Sequence, residues 1–208
     1  MLTYTIGDID DEGFAAFCQF VNENHDSLCE NGLVVYMESD GGCAKYLSPL
    51  VNLLNSLCVR VEIIRAFSTA FFITMMLRCP VSIGIDSDTM IHKAFTMLQY
   101  PAPKGDKGYA EQKRSLGAVQ KFLDGIAELV LNKEQYKAYM KGKELFFSSS
   151  EFDTILKRAR QAHLDGKFDK FFLYQEDIRP DDDECEDCKE CEGKDDAKCK
   201  HHDTGRDN

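Results

Sequence analysis

The chain has 208 residues, of which 43% are hydrophobic and 11% aromatic, a composition typical of a globular protein rather than a disordered one. Its formal net charge is −11, and because phosphate binding needs a basic face, nucleic acid is excluded as the main partner. The sequence has no apolar run long enough for a membrane span and no signal-peptide pattern at its N-terminus, so we expect a cytoplasmic protein that binds no membrane.

The first half of the chain alternates predicted strands with predicted helices. Strands are predicted at Leu2–Ile6 (a sheet edge), Leu33–Met37, Val59–Ile64 (continuing through Phe67 to Ser68), Val81–Ile85 and Thr89–His92. Helices are predicted at Glu12–Asn24, Tyr46–Ser56 and Thr69–Leu77, and turns at Glu38–Gly42 and Asp86–Asp88. This alternation indicates an α/β protein with a mostly parallel sheet and helices on its faces.

The second half is predicted to be mainly helical. A loop rich in Pro, Gly and Lys spans Pro101–Gly108, and helices follow at about Tyr109–Leu131 and Asn132–Lys143. Leu145–Phe147 is predicted as a short strand. Ser148 and Glu151 then form the pattern of a capping box, which predicts a helix that continues to about Leu164.

The composition changes after Ile178, and we divide the chain into a folded domain, 1–178, and a tail, 179–208. The tail is rich in Asp, Glu, Lys and Cys and has almost no apolar residues, so it is predicted to be flexible and acidic. It contains Cys185, Cys188, Cys191 and Cys199, followed by two histidines, and such ligands suit Zn²⁺. Only seven residues separate Cys191 from Cys199, so a tail whose cysteines hold no metal stays the alternative.

The other five cysteines lie scattered among apolar stretches. They are Cys18, Cys29, Cys43, Cys58 and Cys79. Cysteines in such positions are usually small buried hydrophobes in a reducing compartment, and we expect that here.

Three candidate site features each follow a predicted strand, and we expect these strands to lie side by side. Gly41 and Gly42 follow one strand, where glycines allow backbone N–H groups to face a cleft as an oxyanion hole requires. Ser68 lies where the next strand turns into a helix, with the Thr69 N–H beside it at the helix N-terminus. His92 ends a further strand and is the kind of base that activates a serine. The plainer interpretations are a turn, an N-cap and a structural histidine.

The order of these features resembles the proteolytic subunit of Clp-type serine proteases, in the Clp-protease/crotonase superfamily. The matching stretches are Ile6-Gly7-Asp8-Ile9-Asp10-Asp11-Glu12, Glu38-Ser39-Asp40-Gly41-Gly42, Ala66-Phe67-Ser68-Thr69-Ala70 and Met90-Ile91-His92-Lys93. The likeness runs from about residue 3 to about residue 156, with no single motif intact. It implies a fold of stacked βαβ (ββα) units.

The resemblance also implies a role for each matching residue. Ser68 would be the nucleophile, His92 the general base, and Gly42 (with Gly41 as the alternative) and Thr69 the oxyanion-hole donors. The family's third member is an Asp before a short stretch that resembles the sequence here from Lys143 to Glu151. Glu144 takes that place, and its alternative role is a solvated charge.

This sequence departs from the family pattern beside the nucleophile. Ile64 replaces a glycine, and Phe67 stands where a small residue precedes the serine. Moving the alignment by two places puts Ala70 at the nucleophile position, which would make the chain an inactive relative.

The resemblance therefore implies a serine peptidase that acts on peptides or unfolded proteins and requires no cofactor. It also implies a homo-oligomeric ring, with an ATP-driven unfoldase as a possible partner. The alternative is a catalytically inactive structural or regulatory subunit of the same fold. A third alternative is acyl-thioester chemistry of the crotonase kind, which would need no serine.

Overall fold

The structure is a computed structural model that describes the backbone of residues 1–94 and 107–173, and their side chains except those of 107–112 and 173. Its strands are β1 (Leu2–Ile6), β2 (Leu33–Ser39), β3 (Val59–Phe67), β4 (Val81–Ile91) and β5 (Leu145–Phe147). Its helices are α1 (Asp11–Glu23), α2 (His25–Asn31), α3 (Leu47–Ser56), α4 (Thr69–Met76), α5 (Lys107–Val130), α6 (Lys133–Met140), α7 (Ser149–Leu164) and α8 (Asp169–Leu173).

The strands form one sheet in the order β1-β2-β3-β4-β5, which is also their order in the chain. β1 to β4 are parallel, and β5 joins β4 antiparallel over Thr89 to Ile91. The carboxyl ends of β2, β3 and β4 therefore lie next to one another. The predicted α/β class, the mostly parallel sheet and the edge position of β1 are confirmed.

The core lies on one face of this sheet. Inward side chains of the central strands are almost fully buried, namely Leu33, Val35, Met37, Val61 and Ile63. Their sequence neighbours Glu38 and Arg60 are exposed on the other face. Every residue of α4 is buried, so this helix forms the centre of the core directly behind the end of β3.

β4 is one strand of 11 residues where the sequence predicted two short strands and a turn. The predicted turn, Asp86–Asp88, lies at a bulge in β4. Ile63 pairs with Ile83 and Arg65 pairs with Asp88, so β4 has more residues than β3 between these two pairs. Pairing with β3 holds both ends of the segment, at Ile83 and Asp88, and the Ser87 hydroxyl lies 3.2 Å from that of Ser149 on α7. Tertiary contacts thus override the local turn signal.

The helices differ from the prediction mainly at their ends. α1 begins one residue early, because the Asp10 side chain accepts from the Gly13 N–H at 2.8 Å and caps it. The predicted capping box of Ser148 and Glu151 is confirmed at the start of α7. Two short helices, α2 and α8, were not predicted. Most of the predicted loop at 101–108 lies outside the described residues, but its last two positions belong to α5.

The prediction of buried cysteines is wrong for three of the five described cysteines and holds only in part for the other two. Cys29, Cys43 and Cys58 are exposed, while Cys18 and Cys79 are half-buried. Several of them lie in turns or at the ends of elements, where the chain meets solvent even though apolar residues surround them in sequence. Burial raises the pKa of the Cys79 thiol to about 11.

Within residues 1–94 and 107–173, no helix has both the length and the apolarity needed to cross a membrane. The tail, 179–208, lies outside the described residues, and with it Cys185, Cys188, Cys191 and Cys199.

Candidate functional site

The loop after β2 packs directly against Ser68. Gly41 has φ = 99°, and a Cβ placed on it would lie 2.7 Å from the Phe67 carbonyl oxygen, 2.7 Å from the Ser68 Cβ and 3.1 Å from the Thr69 nitrogen. Only glycine fits at this position, because both its backbone angles and its contacts exclude a side chain. The end of β2 and the end of β3 therefore meet at Ser68.

A buried serine and the first loop hold Gly41 and Gly42 in place. The Ser39 hydroxyl accepts from the Gly41 N–H at 3.0 Å. The Gly41 carbonyl accepts from the Ile9 N–H at 3.0 Å, and the Ile9 carbonyl accepts in turn from the Cys43 N–H at 2.7 Å. Because the Gly41 N–H is engaged with Ser39, Gly42 suits the role of oxyanion donor better than Gly41 does.

Ser68 occupies a strained backbone position between β3 and α4. Its angles are φ = 53° and ψ = −117°, and it is the one non-glycine residue with positive φ in the described part of the chain. Such a conformation costs about 1–3 kcal/mol and persists only where surrounding structure enforces it. The Ser68 N–H donates to the Met90 carbonyl at 2.9 Å, which fastens the junction to β4.

The Ser68 side chain is half-buried and does not cap the helix that follows it. Its hydroxyl forms no hydrogen bond with any residue that the structure describes. The plain N-cap interpretation of Ser68 therefore loses its physical basis, since a capping hydroxyl would bond an N–H of the first turn.

Thr69 joins the helix start to the glycine loop. Its hydroxyl donates to the Gly42 carbonyl at 2.8 Å, a contact between residues 27 positions apart. This bond fixes the peptide plane after Gly42 relative to α4. The N–H of Thr69 lies at the N-terminus of α4, where the helix dipole favours negative charge. A developing oxyanion beside Ser68 could accept from this N–H and from that of Gly42.

His92 follows β4 immediately and is half-buried. Its Nδ1 lies 2.6 Å from the carbonyl oxygen of Lys93. A neutral ring that donates from Nδ1 carries its lone pair on Nε2, which is the tautomer that a general base needs.

Glu144 lies opposite His92 in the strand register but forms no hydrogen bond or ion pair with it. β5 pairs with β4 so that Leu145 faces Ile91, which places Glu144 and His92 one position beyond that pair. The Glu144 side chain is exposed, and its carboxylate forms no hydrogen bond or ion pair within the described part of the chain. The structure thus brings Gly41, Gly42, Ser68, Thr69 and His92 to one sheet edge, and it leaves the Glu144 carboxylate in solvent.

Sequence reasoning missed a polar cluster directly behind His92. Lys93 Nζ lies 2.5 Å from Asp124 Oδ1, and the Gln120 amide bonds the same oxygen at 2.5 Å. Gln120 also donates to the Tyr139 hydroxyl at 3.0 Å. Burial and the Asp124 charge raise the pKa of Tyr139, so its phenol stays protonated. No sequence pattern pointed to this cluster, because its members come from three separate elements.

Asp40 and Arg65 lie at the mouth of the glycine loop. Arg65 Nε lies 3.1 Å from Asp40 Oδ1, an ion-pair distance, but it is not aligned for a hydrogen bond. Both side chains are more than a third exposed, so the pair adds little stability.

Two cavities lie elsewhere on the molecule. One, of about 330 Å³, opens beside β1 and the start of α1, and the other, of about 360 Å³, lies between β4 and α7. Neither is lined by Ser68 or His92. The candidate site is therefore defined by strand ends and not by either cavity.

No protein-family model matches the chain, and no curated protein is significantly similar to it.

Proposed function

We propose that the chain is a serine-type endopeptidase that resembles the proteolytic subunit of Clp proteases. Ser68 is its nucleophile and His92 its general base. The observation that carries the proposal is the Ser68 backbone, held at φ = 53° between β3 and α4 and pressed against Gly41. Strain of this kind, enforced by a glycine loop, is typical of a nucleophile turned out at a strand–helix junction.

The topology supports a Clp-protease/crotonase arrangement. Parallel strands β1 to β4 follow one another in chain order, and helices connect each strand to the next. Stacked units of this kind place successive strand ends in a row, which is where Gly42, Ser68 and His92 lie.

The proposed chemistry needs only groups at this edge. Ser68 Oγ forms a bond with the peptide carbonyl carbon while its proton passes to Nε2 of His92. The N–H groups of Gly42 and Thr69 stabilise the resulting oxyanion. The C–N bond then breaks as the imidazolium returns the proton to the leaving amine. Water repeats the sequence on the acyl-enzyme and releases Ser68.

The substrate and the partners follow from the resemblance. A peptide or an unfolded protein would bind as an extended strand beside Gly41 and Gly42. The active form would be a homo-oligomeric ring, served by an ATP-driven unfoldase.

A second candidate is a non-catalytic structural or regulatory subunit with the same fold. It is favoured by the Ser68 hydroxyl, which accepts and donates no hydrogen bond within the described part of the chain. Catalytic hydrogen bonds are often long in the unliganded state, so this geometry does not remove the first candidate.

Labelling with a fluorophosphonate separates the two candidates. The peptidase predicts a covalent adduct on Ser68, identified by peptide mass and absent in Ser68→Ala. Ser56→Ala, which removes an exposed serine at the end of α3, serves as the matched control and should label as the wild type does. An unlabelled wild-type chain that is folded by circular dichroism would favour the non-catalytic subunit.

A further inference from the structure

One orienting contact of the His92 ring comes from its own neighbour in the chain. Its Nδ1 contacts the Lys93 carbonyl at 2.6 Å, whereas the exposed Glu144 carboxylate forms no hydrogen bond or ion pair with it. The orientation of the imidazole therefore depends on where the backbone at Lys93 is fixed.

The Lys93 side chain is fixed on several sides. Its ammonium bonds Asp124, lies 4.6 Å from the centre of the Tyr139 ring and reaches the Met140 sulfur at 3.2 Å. Lys93 and Asp124 are only 23% and 21% exposed, so solvent screens this ion pair less than a surface pair. Cation–π contact with a fully buried aromatic ring adds to the attraction.

Gln120 fixes the next residue along. Its side-chain oxygen accepts from the Ala94 N–H at 2.8 Å, and its amide nitrogen bonds Asp124 and Tyr139. The chain on the C-terminal side of His92 is thus fastened to α5 and α6 through both the Lys93 side chain and the Ala94 backbone.

We propose that Lys93 and Asp124 are positioning residues for His92, and that the Lys93 carbonyl occupies the place of the acid in a Ser-His-acid triad. This inference rests on the proposed function. The carbonyl selects the Nδ1–H tautomer, which leaves the lone pair on Nε2 to accept a proton from the nucleophile. The ion pair with Asp124 keeps that carbonyl in place during proton transfer.

A carbonyl dipole can orient the imidazole but stabilises its cation less than a carboxylate does. The site therefore depends on rigidity, which the partly buried ion pair, Gln120 and Tyr139 supply. The exposed position of Glu144 is consistent with a base that has its orienting acceptor elsewhere.

The first test measures the rate of fluorophosphonate labelling at Ser68 in the full chain. Asp124→Asn and Lys93→Met should each slow labelling at least about tenfold, part of the 10²–10⁴-fold that a positioned base contributes. Lys93→Arg, which can still pair with Asp124, should recover most of the rate. Asp153→Asn is the matched control, because it breaks a surface Lys–Asp pair on α7. A larger loss in Glu144→Gln than in Asp124→Asn would overturn the assignment.

The second test reads the His92 ring directly and does not depend on activity. Long-range ¹H–¹⁵N spectra of the neutral ring should show the Nδ1–H tautomer in the wild type and in Lys93→Arg. A mixture of tautomers is expected in Lys93→Met and Asp124→Asn. If these two variants keep the wild-type tautomer, the inference fails even where Ser68 labels. If the tautomer responds but the wild type does not label, the proposed function fails and the positioning contact stands.

Discussion

Among single residues, the site depends on backbone positions that ordinary side chains do not adopt. Ser68 has a positive φ, and Gly41 lies so close that its missing Cβ leaves room for Phe67, Ser68 and Thr69. The two positions support each other, since the glycine loop encloses the strained junction from one side and the bond from the Ser68 N–H to Met90 closes it from the other.

Gly41→Ala should therefore damage both the fold and the site. The new methyl would lie 2.7 Å from backbone and Cβ atoms at φ = 99°, so we expect a loss of about 1–3 kcal/mol in the free energy of unfolding. Urea unfolding measures this loss. Gly117→Ala is the control. Gly117 lies inside α5, and nothing lies within 4 Å of the point where its Cβ would be. Its replacement by alanine should therefore raise the free energy of unfolding by about 0.5–1 kcal/mol. An unchanged midpoint in Gly41→Ala would contradict the proposed close approach.

Ser68→Gly should stabilise the protein relative to Ser68→Ala, because glycine adopts positive φ without strain. We expect a difference of about 1 kcal/mol or more in urea unfolding. At Ser56, on the last turn of α3, the order should reverse and alanine should be the more stable replacement. Equal stability of the two Ser68 variants would show that the position carries no backbone strain.

Among the strands and helices, the sequence predicted what local patterns determine. The order of strands and helices and the α7 capping box followed from periodicity and capping signals. The join of two predicted strands into β4 did not, because pairing with β3 and contact with Ser149 outweigh the turn signal at Asp86–Asp88. The Lys93–Asp124 pair also lay beyond prediction, since its partners are 31 positions apart and meet only when α5 docks. The strain at Ser68 is likewise a product of packing.

His163 on α7 contacts both α4 and the residue that precedes α8. Its Nε2 donates to the Met75 carbonyl at 2.9 Å, and its ring stacks on Phe168 with centroids 4.1 Å apart. Burial lowers the pKa of His163, partly offset by the bond to Met75. The folded protein therefore binds fewer protons here than the unfolded chain does between the ordinary histidine pKa of about 6.5 and the lowered pKa of the folded state, so stability falls as the pH falls through that range.

His163→Gln should remove this part of the pH dependence. Glutamine can still donate to the Met75 carbonyl but does not titrate. Between about pH 7.5 and about pH 5.5, the free energy of unfolding of the variant should therefore fall less than that of the wild type. Urea unfolding at both pH values gives the comparison. Parallel pH dependence in the two proteins would show that His163 is not the responsible group.

For the chain as a whole, the boundary of the folded domain can be located from burial at its C-terminal end. Phe168 is fully buried and Phe171 is 6% exposed, with the Phe171 ring 2.9 Å from where a Cβ on Gly125 would lie. α8 thus belongs to the core, although no sequence pattern predicted this helix. The division of the chain after residue 178 keeps α8 within the domain.

Two truncations test that boundary. A chain of residues 1–178 should unfold with the stability of the full chain and should label at Ser68 at the same rate, because it keeps every described contact. A chain of residues 1–166 loses both phenylalanines, each of which contributes about 1.5–3 kcal/mol on burial, so we expect it to be about 3–6 kcal/mol less stable. Urea unfolding measures the difference in stability between the two chains. Zinc titration addresses the tail separately: a metal site there predicts that the full chain binds zinc and that 1–178 does not. A loss of stability in 1–178 comparable with that in 1–166 would show that residues after 178 are part of the fold.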